Sequence, residues 1–75
     1  MIKKLDLYIV QHIFENYPEH VEVFTNRNRA ISHFKKLIKD SYPQLTKLNL
    51  DIIVSSETYE AYNGETFHLI TKKPS

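Results

Sequence analysis

Ala30, Ile31, Phe34, Leu37 and Ile38 recur at spacings of three and four, which places them on one stripe of a helix. No other stretch constrains the chain as tightly. Thr25 or Asn26 is positioned to accept a hydrogen bond from the free amides of that helix. Ser41-Tyr42-Pro43 ends it, because proline disfavours helical geometry in the residue before it. The opposite side carries Arg29, Ser32, His33, Lys35, Lys36 and Lys39. One apolar stripe must be laid on a surface of matching character, and the flanking segments supply it.

Those segments read as strands. Residues 5–14 are β-branched, aromatic or aliphatic with polar interruptions, and end in the turn-like cluster Glu15-Asn16-Tyr17-Pro18-Glu19. Residues 20–25 continue with a period of two, so a five-residue loop pairs Phe14 with His20 and groups Val21 and Val23 with Ile9 and Ile13. After the connector 44–47, the alternation Leu48, Leu50, Ile52, Val54 predicts a third strand that bends or breaks at Ser55-Ser56. Residues 58–62 run into Asn63-Gly64, which holds the only glycine, and both central positions of a type I′ turn need positive φ. A two-residue turn there pairs Tyr62 with Glu65, Glu60 with Phe67, Tyr59 with His68 and Thr58 with Leu69, giving a last strand over 65–72. The expected fold is α+β in the order ββαββ, a four-stranded antiparallel sheet with one amphipathic helix packed on one face, as a single domain over 1–75.

A chain of 75 residues builds one thin core, and without cysteine it has neither disulfides nor thiolate metal sites. It depends on packing alone or on association with another chain. The basic start Met1-Ile-Lys-Lys is followed by Asp6 and Gln11-His12, which interrupt any signal-peptide core, and no run reaches membrane-spanning length. The expected location is therefore the cytoplasm, with no membrane partner. Lys outnumbers Arg eight to two, and Ile occurs eight times and Asn five, a bias toward A- and T-rich codons that fits a low-GC bacterial or phage genome.

A single helix covers one face of a four-stranded sheet and leaves the other to water or to a partner. Sorting by parity assigns Leu5, Leu7, Ile9, Ile13, Val21, Val23, Leu48, Leu50, Ile52, Val54, Phe67 and Leu69 to the helix side. The far side then receives Tyr8, Val10, His12, Phe14, His20, Glu22, Phe24, Ile53, Tyr59, His68 and Ile70. That set is too apolar for a face left in solvent, which makes Tyr8, His12, Phe14, Phe24, Tyr59 and His68 the expected protein-interaction residues. The plainer alternative is that these aromatics serve cross-strand packing; a homodimer stacked sheet to sheet satisfies both readings.

No catalytic motif is present: there is no serine in a GxSxG setting, and one glycine excludes a P-loop and a dinucleotide fingerprint. No enzyme activity, cofactor or metal is expected. The four histidines lack HxH or HExxH spacing. His12 and His68, sharing the far face with His20 and Glu22, offer three candidate ligands, but the preferred reading pairs His12 with Glu22 across strands and leaves His33 on the solvated helix face. Net charge is +1, yet the signs are segregated, with five bases and no acid from Arg27 to Lys39 and four acids and no base from Asp51 to Glu65. Arg27, Arg29, Lys35, Lys36 and Lys39, extended by Lys3, Lys4, Lys72 and Lys73, form the alternative nucleic-acid surface. With a single helix expected and no glycine-aromatic motif, the chain departs from the two-helix RRM domains.

Tyr8-Ile-Val, Val21-Glu-Val-Phe-Thr-Asn, Arg29-Ala-Ile-Ser-His-Phe and Tyr59-Glu-Ala-Tyr-Asn-Gly-Glu-Thr-Phe-His-Leu-Ile together resemble the small phage and prophage accessory proteins of low-GC Gram-positive bacteria. The resemblance implies a hairpin, a helix and a closing strand or hairpin, and a protein that binds and redirects or inhibits a host protein, including defence nucleases. The leading expectation is thus a non-enzymatic modulator that engages a host protein, or a second copy of itself, through the aromatic sheet face. A small nucleic-acid-binding protein is second.

Overall fold

The computed structural model describes residues 5–61 and 63–73. Its elements run β1 (Leu7–Phe14), β2 (Tyr17–Phe24), α1 (Arg27–Ser41), α2 (Lys47–Ser56), β3 (Thr58–Glu60) and β4 (Glu65–Lys72). The fold is α+β with one four-stranded antiparallel sheet in the order β2-β1-β4-β3. The order along the chain is ββααββ, so the expected single helix is joined by a second.

Helix α1 is the expected one. Asn26 caps it, its Oδ1 accepting from the Arg29 N–H at 3.1 Å, and Ala30, Phe34 and Ile38 are buried. The predicted third strand over Leu48–Val54 is instead α2, and the reason lies at its ends. Thr46 and Asn49 form a reciprocal capping box, and Glu57 closes the helix in a left-handed conformation with φ 62°. The apolar run satisfies both periods. Read as a helix it buries Leu50 and Ile53, leaves Val54 half-buried, and exposes Leu48 (69%) and Ile52 (57%), two residues assigned to the core by alternation. Because a β-carbon in the left-handed region costs about 1 kcal/mol, Glu57→Gly is expected to raise unfolding stability by roughly 0.5–1 kcal/mol, measured by urea denaturation.

Both hairpins turn more tightly or more loosely than expected. Glu15 and Asn16, at φ 49° and 71°, make a two-residue turn that pairs Phe14 with Tyr17, not a five-residue loop. A bulge after His12 then sets His12 opposite His20, not opposite Glu22 as the five-residue loop requires, so the pairing differs from the expected one by two residues while Ile9 still shares a face with Val23, and Tyr8 with Phe24. The second hairpin is longer: the Ala61 N–H donates to the Glu65 carbonyl at 2.8 Å, and Gly64 sits at φ +91°. Thr58 therefore faces His68, Tyr59 faces Phe67 and Glu60 faces Thr66, one residue out of the expected register. The expected Tyr62–Glu65 pair falls on a residue outside the described ones.

Both helices pack on one side of the sheet, and the parity of that side is the reverse of the expected one for β1 and β2. Val10, Phe67 and Leu69 are buried with Ala30, Phe34, Ile38, Tyr42, Leu50 and Ile53, while Tyr8, Phe24 and Tyr59 pack against them. Even residues of β1 and β2 thus face the helices, together with odd residues of β4. The cause is geometric: β1 is central, paired to β4 with Val10 opposite Leu69 and His12 opposite Phe67. Phe67 and Leu69, correctly placed in the core, carry Val10 and His12 with them. Among the described residues no helix is long and apolar enough to cross a membrane.

Candidate functional site

The reversal relocates nearly all of the expected interaction residues. Tyr8, Phe24 and Tyr59 pack on the core, and His12 stacks flat on the Phe67 ring at 4.4 Å between centroids. Phe14 shares their side by alternation and is half-buried at the hairpin end. Only His68 lies on the open side, next to Thr58, with 3.3 Å between Thr58 Oγ1 and His68 Nδ1. Tyr8, Phe24 and Tyr59 are fold-forming residues. They fill the space between sheet and helices.

The open side carries six aliphatic residues interspersed with polar ones. Its rows across the sheet are Val23, Ile9 and Ile70, then Val21, Gln11, His68 and Thr58, then Pro18, Ile13, Thr66 and Glu60, with Leu7 opposite Lys72 at one end. Val21 and Val23 are just over half exposed (51% and 53%), and Leu7 and Ile70 are also open to solvent. Ile9 and Ile13 are half-buried by their strand neighbours yet touch no part of the core between sheet and helices. No described element covers this face. The centre has no carboxylate or ammonium group; Glu60 and Lys72 stand at opposite ends of it.

The helix side of the sheet holds two polar clusters, one at each flank. At the hairpin end His12 Nε2 lies 2.8 Å from Glu65 Oε2, and the Tyr42 hydroxyl lies 3.0 Å from Glu65 Oε1 and 2.9 Å from Asn63 Oδ1. The Asn63 amide nitrogen donates to Glu65 Oε1 at 2.9 Å. His12 therefore finds its carboxylate on β4, and the expected His12–Glu22 pair does not form. Burial pushes the Glu65 carboxyl up, but the hydrogen bonds from Asn63, Tyr42 and His12 together outweigh it and hold the group below the ordinary carboxylate range. Burial, with Glu65 beside it, pushes the Tyr42 phenol above its usual value.

The signs give two edges of stability. A depressed carboxyl stabilises the fold above its unfolded value of about 4.3 and loses that contribution as pH falls through the folded value. A raised phenol stabilises below about pH 10 and loses its contribution as pH rises through the folded value. Urea unfolding followed by circular dichroism at pH 3, 7 and 10.5 is expected to show the highest stability at pH 7. Glu65→Gln is expected to lower stability at pH 7 and to shallow the acid-side loss; an unchanged pH 3 to pH 7 difference would contradict this role for Glu65.

At the other flank, on the outer strand β2, His20 and Glu22 point toward α1 and meet His33. The three side chains converge within 3.0–3.3 Å of one another. His33, expected on the solvated face of the helix, is thus half-buried beside Phe24, with 5.3 Å between ring centroids. A shallow groove of about 400 Å³ runs beside it, lined by Phe24, Asn28, Arg29, Ser32, His33 and Lys36.

The basic residues of α1 do not form one free ridge. Lys35 Nζ reaches Asp51 on α2 at 3.3 Å, and Lys39 Nζ donates to the carbonyls of Pro43 and Leu45, which ties down the connector between the helices. Arg27, Arg29 and Lys36 remain directed outward, and the extension through Lys3 and Lys4 lies outside the described residues. The segregated charges are explained in part by this Lys35–Asp51 contact between neighbouring helices. No family model matches the chain, and neither a curated protein nor a solved structure matches it.

Proposed function

We propose that this chain is a small, non-enzymatic protein-binding module whose working surface is the open aliphatic face of the sheet, and that a second copy of the chain is its first occupant. The observation that carries this is the pattern Leu7, Ile9, Ile13, Val21, Val23 and Ile70 on one uncovered side. An exposed apolar set of this extent, with the polar Gln11 and His68 among it, is what interfaces use.

Size and charge both favour a second copy. β1, β2 and β4 are eight residues each. Eight residues span roughly 26 Å and four strands roughly 19 Å, so with a short β3 the footprint is on the order of 450 Å² per copy. Two such faces approach the ~1,000 Å² that a specific interface needs. In a two-fold stack with strands of the two copies running in opposite directions, Lys72 of one copy lies over the Glu60 end of the other. Like charges do not meet at the centre. Association also supplies the burial that a thin core of this length lacks.

A role as a phage or prophage accessory protein that redirects a host protein rests on the sequence resemblance and on the codon-linked composition. In that setting the dimer presents two outward-facing copies of the Arg29–Lys36 groove. Light scattering during gel filtration tests the self-association directly. The expected mass at hundreds of micromolar is twice the 8.9 kDa of one chain. A single-chain mass at that concentration would contradict the proposal.

A further inference from the structure

His20, Glu22 and His33 lie on the helix side, away from the proposed interface, and their geometry is unusual for a hydrogen-bonded cluster. Alternation along β2 sends His20 and Glu22 toward α1, where His33 descends between them. His20 Nε2 and His33 Nε2 are 3.0 Å apart, and Glu22 Oε2 is 3.3 Å from the first and 3.1 Å from the second.

No placement of protons satisfies all three edges of this triangle. If one Nε2 carries a proton, it can donate to the other nitrogen or to the carboxylate, but the bare nitrogen then faces a carboxylate oxygen, lone pair to lone pair. If both carry protons, both can donate to the carboxylate, and the two nitrogens are then crowded at 3.0 Å with no hydrogen bond between them. A cation at the centre turns all three atoms into ligands and removes the conflict. The spacing agrees: ligands bound at about 2.0–2.1 Å in tetrahedral geometry lie roughly 3.3 Å from one another.

From these distances we infer a binding site for a divalent transition metal of the zinc type, with His20 Nε2, Glu22 Oε2 and His33 Nε2 as its protein ligands. Two imidazoles and one carboxylate suit zinc, cobalt, nickel or copper and discriminate against magnesium and calcium, which prefer oxygen throughout. Three protein ligands leave a fourth position for water or an added anion. All three side chains are partly open to solvent, so the ion has access. The rings are held by packing, with His33 against both Phe24 and His20. Because the ligands come from an outer strand and from α1, the bound ion clasps β2 to the helix and stabilises the folded chain.

Zinc chloride titrated into the full chain, followed by calorimetry and by thermal melting, tests this inference, with magnesium chloride in parallel. The expected result is one zinc per chain, a raised melting temperature, and no response to magnesium. Changes in the nitrogen-15 signals of the His20 and His33 side chains, recorded on the unaltered chain, are expected at Nε2, with His12 and His68 unmoved. His20→Gln and His33→Gln are expected to weaken zinc binding by at least about tenfold, since even outer-shell partners are worth that much, while His68→Gln leaves it unchanged. Absence of zinc binding to the unaltered chain would overturn the inference. So would nitrogen-15 changes confined to His12 or His68, or binding undiminished in both His20→Gln and His33→Gln.

Discussion

Val10→Asp is expected to abolish the fold, whereas Val23→Asp leaves a folded chain. The two valines lie on neighbouring strands but on opposite sides of the sheet. Val10 is completely buried, set opposite Leu69 on β4 and within the cluster of Phe34, Ile38 and Phe67. A carboxylate there has no cationic partner, and burying it costs several kcal/mol or forces protonation. A chain of this length is stable by about 4–11 kcal/mol, from ~0.05–0.15 kcal/mol per residue, so the loss takes most of what is available. Val23, 53% exposed on an outer strand, loses only the strand preference of valine, about 1 kcal/mol. Far-ultraviolet circular dichroism and a urea melt of each variant separate the cases. Equal loss of structure in both would mean that the sides have been assigned wrongly.

The same Val23→Asp change is expected to have its large effect on association. In the proposed sheet-to-sheet dimer Val23, on the outer strand, begins the row that continues through Ile9 to Ile70 and is covered by the facing copy. Each copy would then bury one carboxylate without a partner, at roughly 2–5 kcal/mol apiece. Two of them together cost about 4 kcal/mol or more, which weakens the dimer by roughly a thousandfold or beyond. Sedimentation equilibrium is expected to give a folded species at the single-chain mass of 8.9 kDa. A Val23→Asp chain that keeps the doubled mass would move the interface elsewhere, the exposed Leu48 and Ile52 of α2 being the next apolar pair.

The parts of this fold legible from sequence are those governed by local pattern. The stripe Ala30, Phe34, Ile38 and the cap at Asn26 identify α1 because a helix is written in its own residues. The grouping of Ile9 with Val23 on one face is likewise local, because the one-residue bulge after His12 brings the parity back into agreement although the pairing stays two residues from that of a five-residue loop. What was not legible depends on partners distant in the chain. Which parity of β1 faces the helices is decided by its pairing with β4, more than fifty residues later, and both parities of β1 are apolar. Leu48 to Val54 fits periods of two and of 3.6, and the deciding signal was the pairing of Thr46 with Asn49, a capping box with asparagine where glutamate or glutamine is usual. Tyr59 changed sides through a single residue of hairpin register.

The His20, Glu22 and His33 cluster was half visible. His20 and Glu22, two apart on a strand, necessarily share a face, and both were grouped correctly with each other. His33 joins them because that face is the one α1 covers, which the expected parity of β2 does not show. Tyr8, Phe24 and Tyr59, expected as surface aromatics, are the packing between layers.

Mixed-label nuclear Overhauser spectroscopy tests the central claim most directly. Equal amounts of carbon-13-labelled and unlabelled chain are combined, and only contacts between different copies are recorded. Cross-peaks linking the methyl groups of Ile9, Val21, Val23 and Ile70 to protons of the other copy are expected. Inter-copy contacts confined to α1 or α2, or none at a concentration where the unaltered chain is fully folded, would contradict the assignment of the open sheet face as the binding surface.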